Sequence, residues 1–465
     1  MTAPHDLTVV EQRDALRSRQ ISAVELTEHY LGRIDKHEAQ LGAFVERTDE
    51  LARQEARTAD ARLAAGDRSA LLGVPTAFKD LSAVAGVPVH LGSARLTLVP
   101  EDDGPVVGRL RRAGVVTTGT THAPELGPTC FTDSAVVGRP AVTPYDPTRY
   151  ASGSSGGAAA AVAAGLVPFA HGSDGAGSLR TPAAVCGLVG VKPSRGLVPA
   201  AASFLALGVE GPLTRTVLDA AVVLDVLLGS EPATLYGLPR PGSLEEALRR
   251  EPGPLRVLRF DDSGLDAPCR DTRAAVDRAF EALVALGHEV VDGTNPVPWD
   301  EALVAALQVV VTAATAAAAR VLPGEAPLAP YTQWCVEQAA RHSAADFVAA
   351  QGVVARAAGA VLAATAAYDL VLSPVTAQPA VPVGWFDLDG PDEVGRRMLA
   401  WSAYTPFANL TGVPALSLPL HTTEAGLPVG VQLSGARPGD ETVLLQAAAQ
   451  LERALPFAHR HPAQW

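Results

Sequence analysis

Residues 150–157 read Tyr-Ala-Ser-Gly-Ser-Ser-Gly-Gly, and after an Ala-rich apolar segment residues 173–182 read Ser-Asp-Gly-Ala-Gly-Ser-Leu-Arg-Thr-Pro. Serines flanked by glycine bring hydroxyls and unhindered backbone N–H groups into the same space. Acyl transfer needs both, a nucleophile and donors for the oxyanion. Ser152, Ser154 or Ser155 could instead cap a helix, but a flexible linker would not lead directly into a buried-looking Ala/Val helix. The stretch predicts an acyl-transfer site.

Lysine usage indicates a base for this chemistry. Of the 37 Lys and Arg residues only three are lysines, Lys36, Lys79 and Lys192. A bias toward arginine spares lysine where arginine cannot act, because a buried lysine can lose its proton and arginine cannot. Lys79 ends an apolar, strand-like run, so we predict that it is functional, with an ion pair to Asp80 as the alternative. Lys36 is expected to be solvated, and Lys192 structural.

Composition bounds the class of protein. The 465 residues are 48% hydrophobic and 19% charged, which indicates a globular chain. No linker divides it, so one large domain is expected. A net charge of −13 argues against a nucleic-acid partner. The four cysteines form no CxxC pair, and HExxH, Walker-type and GxGxxG motifs are missing, so we expect no metal and no cofactor.

Two features bear on location. The N-terminus has neither a basic start nor an apolar core of the secretory type. The segment 302–319 is uncharged but mostly alanine, with Gln308 and two threonines, so it predicts a soluble helix and not a membrane span. A cytoplasmic protein without a membrane partner is therefore expected.

Hydrophobic periodicity predicts strands that alternate with helices, which is typical of an α/β fold. Ser22 and Glu25 form a capping box before the first long helix. The segment 297–367 is Ala-rich and helical and is expected to cap the core. The predicted helices are 23–41, 48–65, 106–113, 158–165, 216–228, 271–286 and 441–451. The predicted strands are 73–78, 115–118, 167–170, 255–260, 289–291, 368–373, 415–418 and 429–433.

A competing motif occurs in the first loop. Residues 153–157, Gly-Ser-Ser-Gly-Gly, match the GxSxG nucleophile elbow of α/β-hydrolases, which would make Ser155 the nucleophile of an esterase. That elbow needs a strand directly before the serine. The preceding residues contain two prolines and a polar run, so this interpretation ranks low.

Lys79 and the two Ser/Gly loops together resemble the amidase signature family, serine hydrolases with a Ser–cis-Ser–Lys triad. The likeness covers most of the chain, but 230–365 matches poorly, and substrate recognition varies there in such enzymes. Further similar segments are 22–26, 43–45, 106–114, 144–147, 186–194, 211–216, 368–374, 409–414 and 426–432.

The resemblance implies an α/β fold, a single large domain with a mixed β-sheet core surrounded by helices. The amidase signature domain would span 1–465. Its parts would be a helical layer at 1–70, a catalytic core at 71–230, a variable helical substrate-recognition region at 230–365 and a C-terminal part of the core at 366–465.

The resemblance also implies roles for three residues. Ser178 would be the nucleophile, Ser154 on a cis peptide bond would relay the proton, and Lys79 would be the base. Neutral Lys79 would draw a proton from Ser178 through Ser154, and water would then hydrolyse the acyl-enzyme.

The surrounding residues would support this triad. Ala176 stands where the family usually has glycine, so the oxyanion hole is expected to be reshaped, and Ser152 replaces another common glycine. His90 and His122 are expected to pack or face substrate, without a catalytic role. The expected oxyanion donors are the N–H groups of Gly175, Ala176, Gly177 and Ser178. The expected supporting residues are Asp174, Arg180 and Ser155, and Thr129 would line the acyl pocket.

The expected partner is a small-molecule amide, and a homodimer stays open. Few polar residues in 230–365 favour an apolar or aromatic amide. One alternative is the A subunit of a tRNA-dependent amidotransferase, a glutamine amidase. That subunit has a Thr-Glu-Asn-like run where this chain has Phe-Thr-Asp-Ser-Ala at 131–135. A non-catalytic binding homologue is a further alternative, supported only by Ala176.

Overall fold

The computed structural model describes residues 3–199, 207–229 and 237–465. Within these residues one sheet of eleven strands forms the core, in the order β1-β3-β2-β4-β6-β5-β10-β11-β9-β7-β8. The strands are β1 Phe44–Arg47, β2 Pro75–Lys79, β3 Val116–Thr121, β4 Phe169–Asp174, β5 Val189–Lys192, β6 Val209–Thr214, β7 Arg256–Arg259, β8 Glu289–Asp292, β9 Leu370–Pro374, β10 Ala415–Thr422 and β11 Pro428–Gly435.

The helices surround this sheet. They are α1 Val9–Arg17, α2 Ala23–Leu41, α3 Asp49–Ala64, α4 Pro105–Arg112, α5 Gly156–Ala163, α6 Arg180–Cys186, α7 Val217–Leu227, α8 Leu244–Ala247, α9 Arg270–Ala285, α10 Glu301–Ala319, α11 Pro330–Ala339, α12 Ala344–Thr365, α13 Pro391–Ser402, α14 Pro406–Thr411 and α15 Glu441–Ala454.

The sheet is mixed, as predicted. β2 pairs in parallel with β3 and β4, and β7 pairs in parallel with β8 and β9. The remaining pairs are antiparallel, β4 with β6 among them. The carboxyl ends of the parallel strands β2 and β4 therefore lie at one edge, where an α/β sheet commonly binds its ligand. The domain boundary expected at residue 230 lies outside the described residues.

The predicted capping box begins α2. Ser22 Oγ accepts from the Glu25 N–H at 3.1 Å, and the Glu25 carboxylate accepts from the Ser22 N–H at 2.9 Å. Gly42 ends the helix with φ of 60°, a left-handed conformation that glycine adopts freely. The prediction of a helix over 23–41 is confirmed.

Some strands escape the sequence pattern. β4 was predicted to end at Ala170 but continues to Asp174, because pairing with β6 outweighs the low strand propensity of Gly172 and Ser173. β1, β5 and β6 were not predicted as strands, and β6 contains Pro212, which breaks the usual strand signal.

The segment 297–367 contains α10, α11 and α12, so the prediction that it is helical is confirmed. By length and composition alone α10 and α12 could each cross a bilayer. In the structure α10 packs on both α11 and α12, and α12 also packs on α14. The buried side of α10 includes Leu303, Ala306 and Val310.

Helix α5 packs tightly at the centre of the fold. Every residue of α5 is buried, and its small side chains allow close approach to the sheet. A Cβ on Gly157 would lie 2.4 Å from the carbonyl oxygen of Ala43 and 2.5 Å from the backbone nitrogen of His122. Since both neighbours are backbone atoms, neither can turn away as a side chain could.

We predict that Gly157→Ala destabilises the protein by about 2 kcal/mol or more, because overpacking forces the backbone to shift. Gly359→Ala in α12 is the matched control, since a Cβ there meets no atom within 4 Å. The control should gain stability, by up to about 1 kcal/mol from helix propensity. Urea unfolding midpoints measure both effects, and equal midpoints for the two variants would contradict the packing described for α5.

Candidate active site

Lys79 is the last residue of β2 and is fully buried. Its Nζ lies 2.7 Å from Ser154 Oγ and 3.0 Å from Ser173 Oγ. Burial lowers the pKa of Lys79 from 10.5 to about 7, although the carboxylates of Asp174 and Glu210 act in the opposite direction. Near neutral pH a large share of this amine is therefore uncharged and able to accept a proton.

The alternative of an ion pair between Lys79 and Asp80 does not fit the contacts. The Asp80 carboxylate accepts from the N–H groups of His90 and Gly92, at 3.0 and 3.1 Å. Lys192 is also buried with a pKa lowered by burial to about 7, but its Nζ donates to a backbone carbonyl, that of its neighbour Pro193.

The first serine loop has an unusual backbone. The peptide bond between Gly153 and Ser154 is cis, and Ser152 has φ of 64°. The Ser152 hydroxyl donates to the Cys130 carbonyl oxygen at 2.9 Å. A Cβ on Gly153 would lie 2.8 Å from the backbone nitrogen of Phe131. The loop thus packs directly against residues 127–131, and glycine is required at position 153.

Ser155 supports the loop from within. Its Oγ lies 3.1 Å from the Ser173 carbonyl oxygen and 3.3 Å from the Ser173 nitrogen, and the side chain is fully buried. Helix α5 follows at Gly156, but no strand directly precedes Ser155 in the structure. The nucleophile elbow needs strand, turn and helix in succession, so the α/β-hydrolase interpretation is wrong.

The second serine loop is organised by Asp174. Its carboxylate accepts from the N–H groups of Gly177 and Leu179, at 2.7 and 3.2 Å, and from the Arg180 guanidinium at 2.8 and 2.9 Å. Burial alone would raise the pKa of Asp174, but Arg180 and the amide of Asn409 hold it well below its ordinary value. Asp174 therefore stays ionised and holds the loop closed on itself.

Arg180 extends this network to distant parts of the chain. Its guanidinium donates to the Thr405 carbonyl oxygen and to Gln432 Oε1, both at 2.7 Å, and to Asn409 Oδ1 at 2.6 Å. Arg180 and Asp174 are both fully buried. The loop is thus fixed against β11 and α14, so removal of either charge would leave its partner buried and unpaired.

The backbone of this loop differs in one respect from the expected oxyanion hole. The Gly177 N–H is engaged by Asp174 and is not free. The Gly175, Ala176 and Ser178 N–H groups donate to no atom of the described residues. Ala176 avoids the left-handed region, whereas Gly177 has φ of 136°. Alanine is thus accommodated at 176 without a left-handed backbone conformation.

Gly177 cannot be replaced in the same way. A Cβ there would lie 2.3 Å from Thr405 Oγ1, which donates to the Ala176 carbonyl oxygen at 2.5 Å. Ser178 follows Gly177, just before α6 begins, and is partly exposed. Its hydroxyl makes no hydrogen bond within the part of the chain that the structure describes. Lys79 and Ser154 are therefore joined directly, while Ser178 is not hydrogen-bonded to either.

Thr129 lies in the segment that packs on the first serine loop. Its hydroxyl donates to the Phe131 carbonyl oxygen at 2.7 Å, so it is engaged within its own segment. Phe131 stacks on Phe386 with ring centroids 5.0 Å apart. Trp401 packs edge-on against Phe386, with ring centroids 5.6 Å apart. An aromatic cluster therefore backs this segment.

His122 and His90 are engaged in structural contacts. His122 contacts the Gly42 carbonyl oxygen and Ser134 Oγ, and burial lowers its pKa to about 4. His90 lies 3.0 Å from a carboxylate oxygen of Glu46. No group of three or more His, Cys, Asp or Glu side chains suited to a metal ion occurs in the described ranges.

Sequence reasoning missed three polar residues on β4 and β6. Ser173 contacts the Lys79 amine, and His171 contacts both the Lys79 backbone and Glu210. The available signal was alternation, since His171 and Ser173 share a face of one strand. It was lost because the predicted strand stopped at residue 170.

Comparison with known proteins agrees with this fold. A model of the amidase family matches residues 25–444. The 6-aminohexanoate-cyclic-dimer hydrolase of Pseudomonas sp. (strain NK87) is 34% identical over 97% of this chain and 95% of its own length.

Solved structures show the same likeness. That of a 6-aminohexanoate cyclic dimer hydrolase complexed with substrate has a TM-score of 0.92 at 29% identity, covering 99% of both chains. A bacterial aryl acylamidase of the amidase signature enzymes has a TM-score of 0.90 at 26% identity, covering 99% of this chain and 98% of its own. The chain therefore belongs to the amidase signature family, whose hydrolases act on amide C–N bonds.

Proposed function

We propose that this enzyme hydrolyses small, uncharged amides through an acyl-enzyme on Ser178, with Ser154 as the proton relay and Lys79 as the base. The observation that carries the proposal is the 2.7 Å contact between the buried Lys79 amine and the Ser154 hydroxyl. A neutral amine can donate to Ser173 and still offer its lone pair to Ser154. Its pKa near 7 suits a general base at neutral pH.

The steps follow from these groups. Lys79 accepts the Ser154 proton while Ser154 accepts the Ser178 proton, and Ser178 Oγ attacks the amide carbonyl carbon. The same relay returns the proton to the leaving nitrogen as the C–N bond breaks. Water then attacks the ester on Ser178, and the serine is regenerated as the acid leaves.

The oxyanion would be held by backbone N–H groups of the second loop. Those of Gly175, Ala176 and Ser178 donate to no atom of residues 3–199, 207–229 and 237–465, whereas that of Gly177 is held by Asp174. Such fixed donors stabilise charge as it develops, without reorganisation at the moment of reaction. Asp174 and Arg180 serve this step indirectly, because they fix the loop that carries the donors.

The acyl group of the substrate is proposed to be apolar. The segment that packs on Ser154 is backed by aromatic rings, and the backbone N–H of Cys130 donates to the Met398 sulfur at 3.2 Å. Relatives named as a cyclic dimer hydrolase and an aryl acylamidase support an uncharged amide. An activity panel should include the 6-aminohexanoate cyclic dimer, an acylanilide, a peptide amide and glutamine. Turnover of glutamine alone would favour the amidotransferase subunit instead.

We expect Lys79→Arg to fold but to lose at least about 100-fold in kcat, because arginine stays protonated and cannot act as a base. Lys36→Arg, an exchange on the exposed side of α2, is the matched control and should keep full activity. Steady-state hydrolysis and thermal unfolding of both variants provide the test. Turnover near the wild-type rate in Lys79→Arg would reject Lys79 as the base.

The pH dependence has a defined sign. The active form requires neutral Lys79, and the fraction of neutral amine falls as the pH drops below its pKa of about 7. We therefore expect kcat/KM to fall by about 50-fold between pH 7 and pH 5, with one proton bound. The profile should be measured with a neutral amide, so that the substrate does not titrate. A flat profile over this range would contradict a lysine base.

A further inference from the structure

The backbone of Lys79 is held by a side chain where its strand separates from β4. β2 and β4 pair only at Thr76 with Phe169 and at Ala77 with Ala170. Beyond this point the Lys79 N–H donates to His171 Nδ1 at 3.4 Å. The imidazole therefore replaces the backbone pairing with β4 at the residue that carries the proposed base, while β3 stays paired with that residue on the other side.

This contact determines which ring nitrogen of His171 carries the hydrogen. An N–H group can only donate, so Nδ1 must be the acceptor and the ring hydrogen lies on Nε2. Nε2 lies 2.8 Å from Glu210 Oε2, and it therefore donates to that carboxylate. The His171 side chain is fully buried and that of Glu210 is 19% exposed, so water competes little for this bond.

Sheet register places Glu210 beside the site. In the antiparallel pair of β4 and β6, Glu210 lies directly opposite Ser173. Residues opposite each other share a face of the sheet, as do His171 and Ser173 on the same strand. Ser173 in turn contacts the Lys79 amine. His171 thus contacts the backbone of Lys79, and Glu210 lies on the other side of Ser173, which contacts the Lys79 amine.

We propose that His171 and Glu210 are a positioning pair for Lys79, in which the imidazole holds the Lys79 backbone and the carboxylate orients the imidazole and supplies a negative charge. The inference rests on the proposed role of Lys79 as the base. Neither residue touches the reacting atoms.

Few charged groups lie near Lys79, so the negative charge of Glu210 affects the pKa of Lys79. β3 and α5, which also pack on β2, carry no titratable side chain, and those buried in α2 are Tyr30 and His37. Asp174 is paired with Arg180. Together with Asp174, Glu210 opposes the effect of burial and keeps the pKa of Lys79 from falling further. On β4, His171 is a further titratable group that contacts Lys79, through its backbone N–H.

The first test reads Lys79 directly. With only three lysines in the chain, ¹³Cε-labelled lysine gives three signals in an NMR titration, and Lys79→Arg assigns one of them. Glu210→Gln keeps an acceptor for His171 and removes the charge. We expect its Lys79 midpoint to move to lower pH by about half a unit, and the acid limb of kcat/KM to move with it. An unchanged midpoint would overturn the electrostatic part of the proposal.

The second test concerns position. His171→Leu removes the acceptor for the Lys79 N–H and should lower kcat by about 10- to 100-fold with little change in KM. His171→Asn offers an oxygen at the Nδ1 position and should restore most of this loss. Loss of activity in both variants with equal stability would overturn a positioning role.

A second histidine provides the matched control. His288 Nδ1 accepts from the Leu255 N–H at 3.1 Å and its Nε2 contacts Gln450 Oε1 at 2.9 Å, the same arrangement at the far side of the sheet. His288→Leu should cost stability and leave kcat and the Lys79 titration unchanged. A kcat loss in His288→Leu equal to that in His171→Leu would show a merely structural role for His171.

These readouts separate the two proposals. If the Lys79 midpoint shifts in Glu210→Gln while Lys79→Arg remains active, the positioning pair stands and the base assignment fails. If Lys79→Arg is inactive but neither Glu210→Gln nor His171→Leu behaves as expected, the pair is refuted and the base assignment stands.

Discussion

The removal of one lysine amine from water is the constraint on which this site depends. Lys79 ends a central strand, and its nearest polar partners are two serine hydroxyls and not a carboxylate. Burial therefore lowers the pKa of the amine, and the hydroxyls satisfy its hydrogen bonds in the neutral state. The Ala/Gly composition of α5 follows from the same need, because larger residues would keep the serine loop from packing closely on the sheet.

A second buried titratable group nearby, Asp174, keeps its charge. Asp174 is as deeply buried as Lys79, yet Arg180 pairs with it through two hydrogen bonds and keeps it ionised. The amine without a carboxylate partner can give up its charge and do chemistry. The carboxylate with a full set of donors cannot, and it serves to shape a loop. The hydrogen-bond partners of each group therefore determine whether it is reactive, as for Lys79, or structural, as for Asp174.

Much of the fold and of the candidate site could be predicted from local features of the sequence. The capping box of α2, the alternation of strands and helices, and the scarcity of lysine each depend on neighbouring residues or on composition. The length of β4 did not follow, because His171, Gly172 and Ser173 have weak strand propensity and become strand only by pairing with β6. The engagement of the Gly177 N–H did not follow either. It requires the Asp174 carboxylate to be turned by Arg180, whose own partners lie more than 200 residues away.

Covalent labelling at two pH values tests the central claim most directly. A fluorophosphonate reacts with nucleophilic serines and should therefore modify Ser178. Mass spectrometry of the peptide that contains Ser178 detects the modification. Labelling should be fast at pH 8 and slow at pH 5, where the Lys79 amine is protonated, and Lys79→Arg should label slowly at both. Modification of Ser155 or of another side chain, or equal labelling rates at the two pH values, would contradict the account.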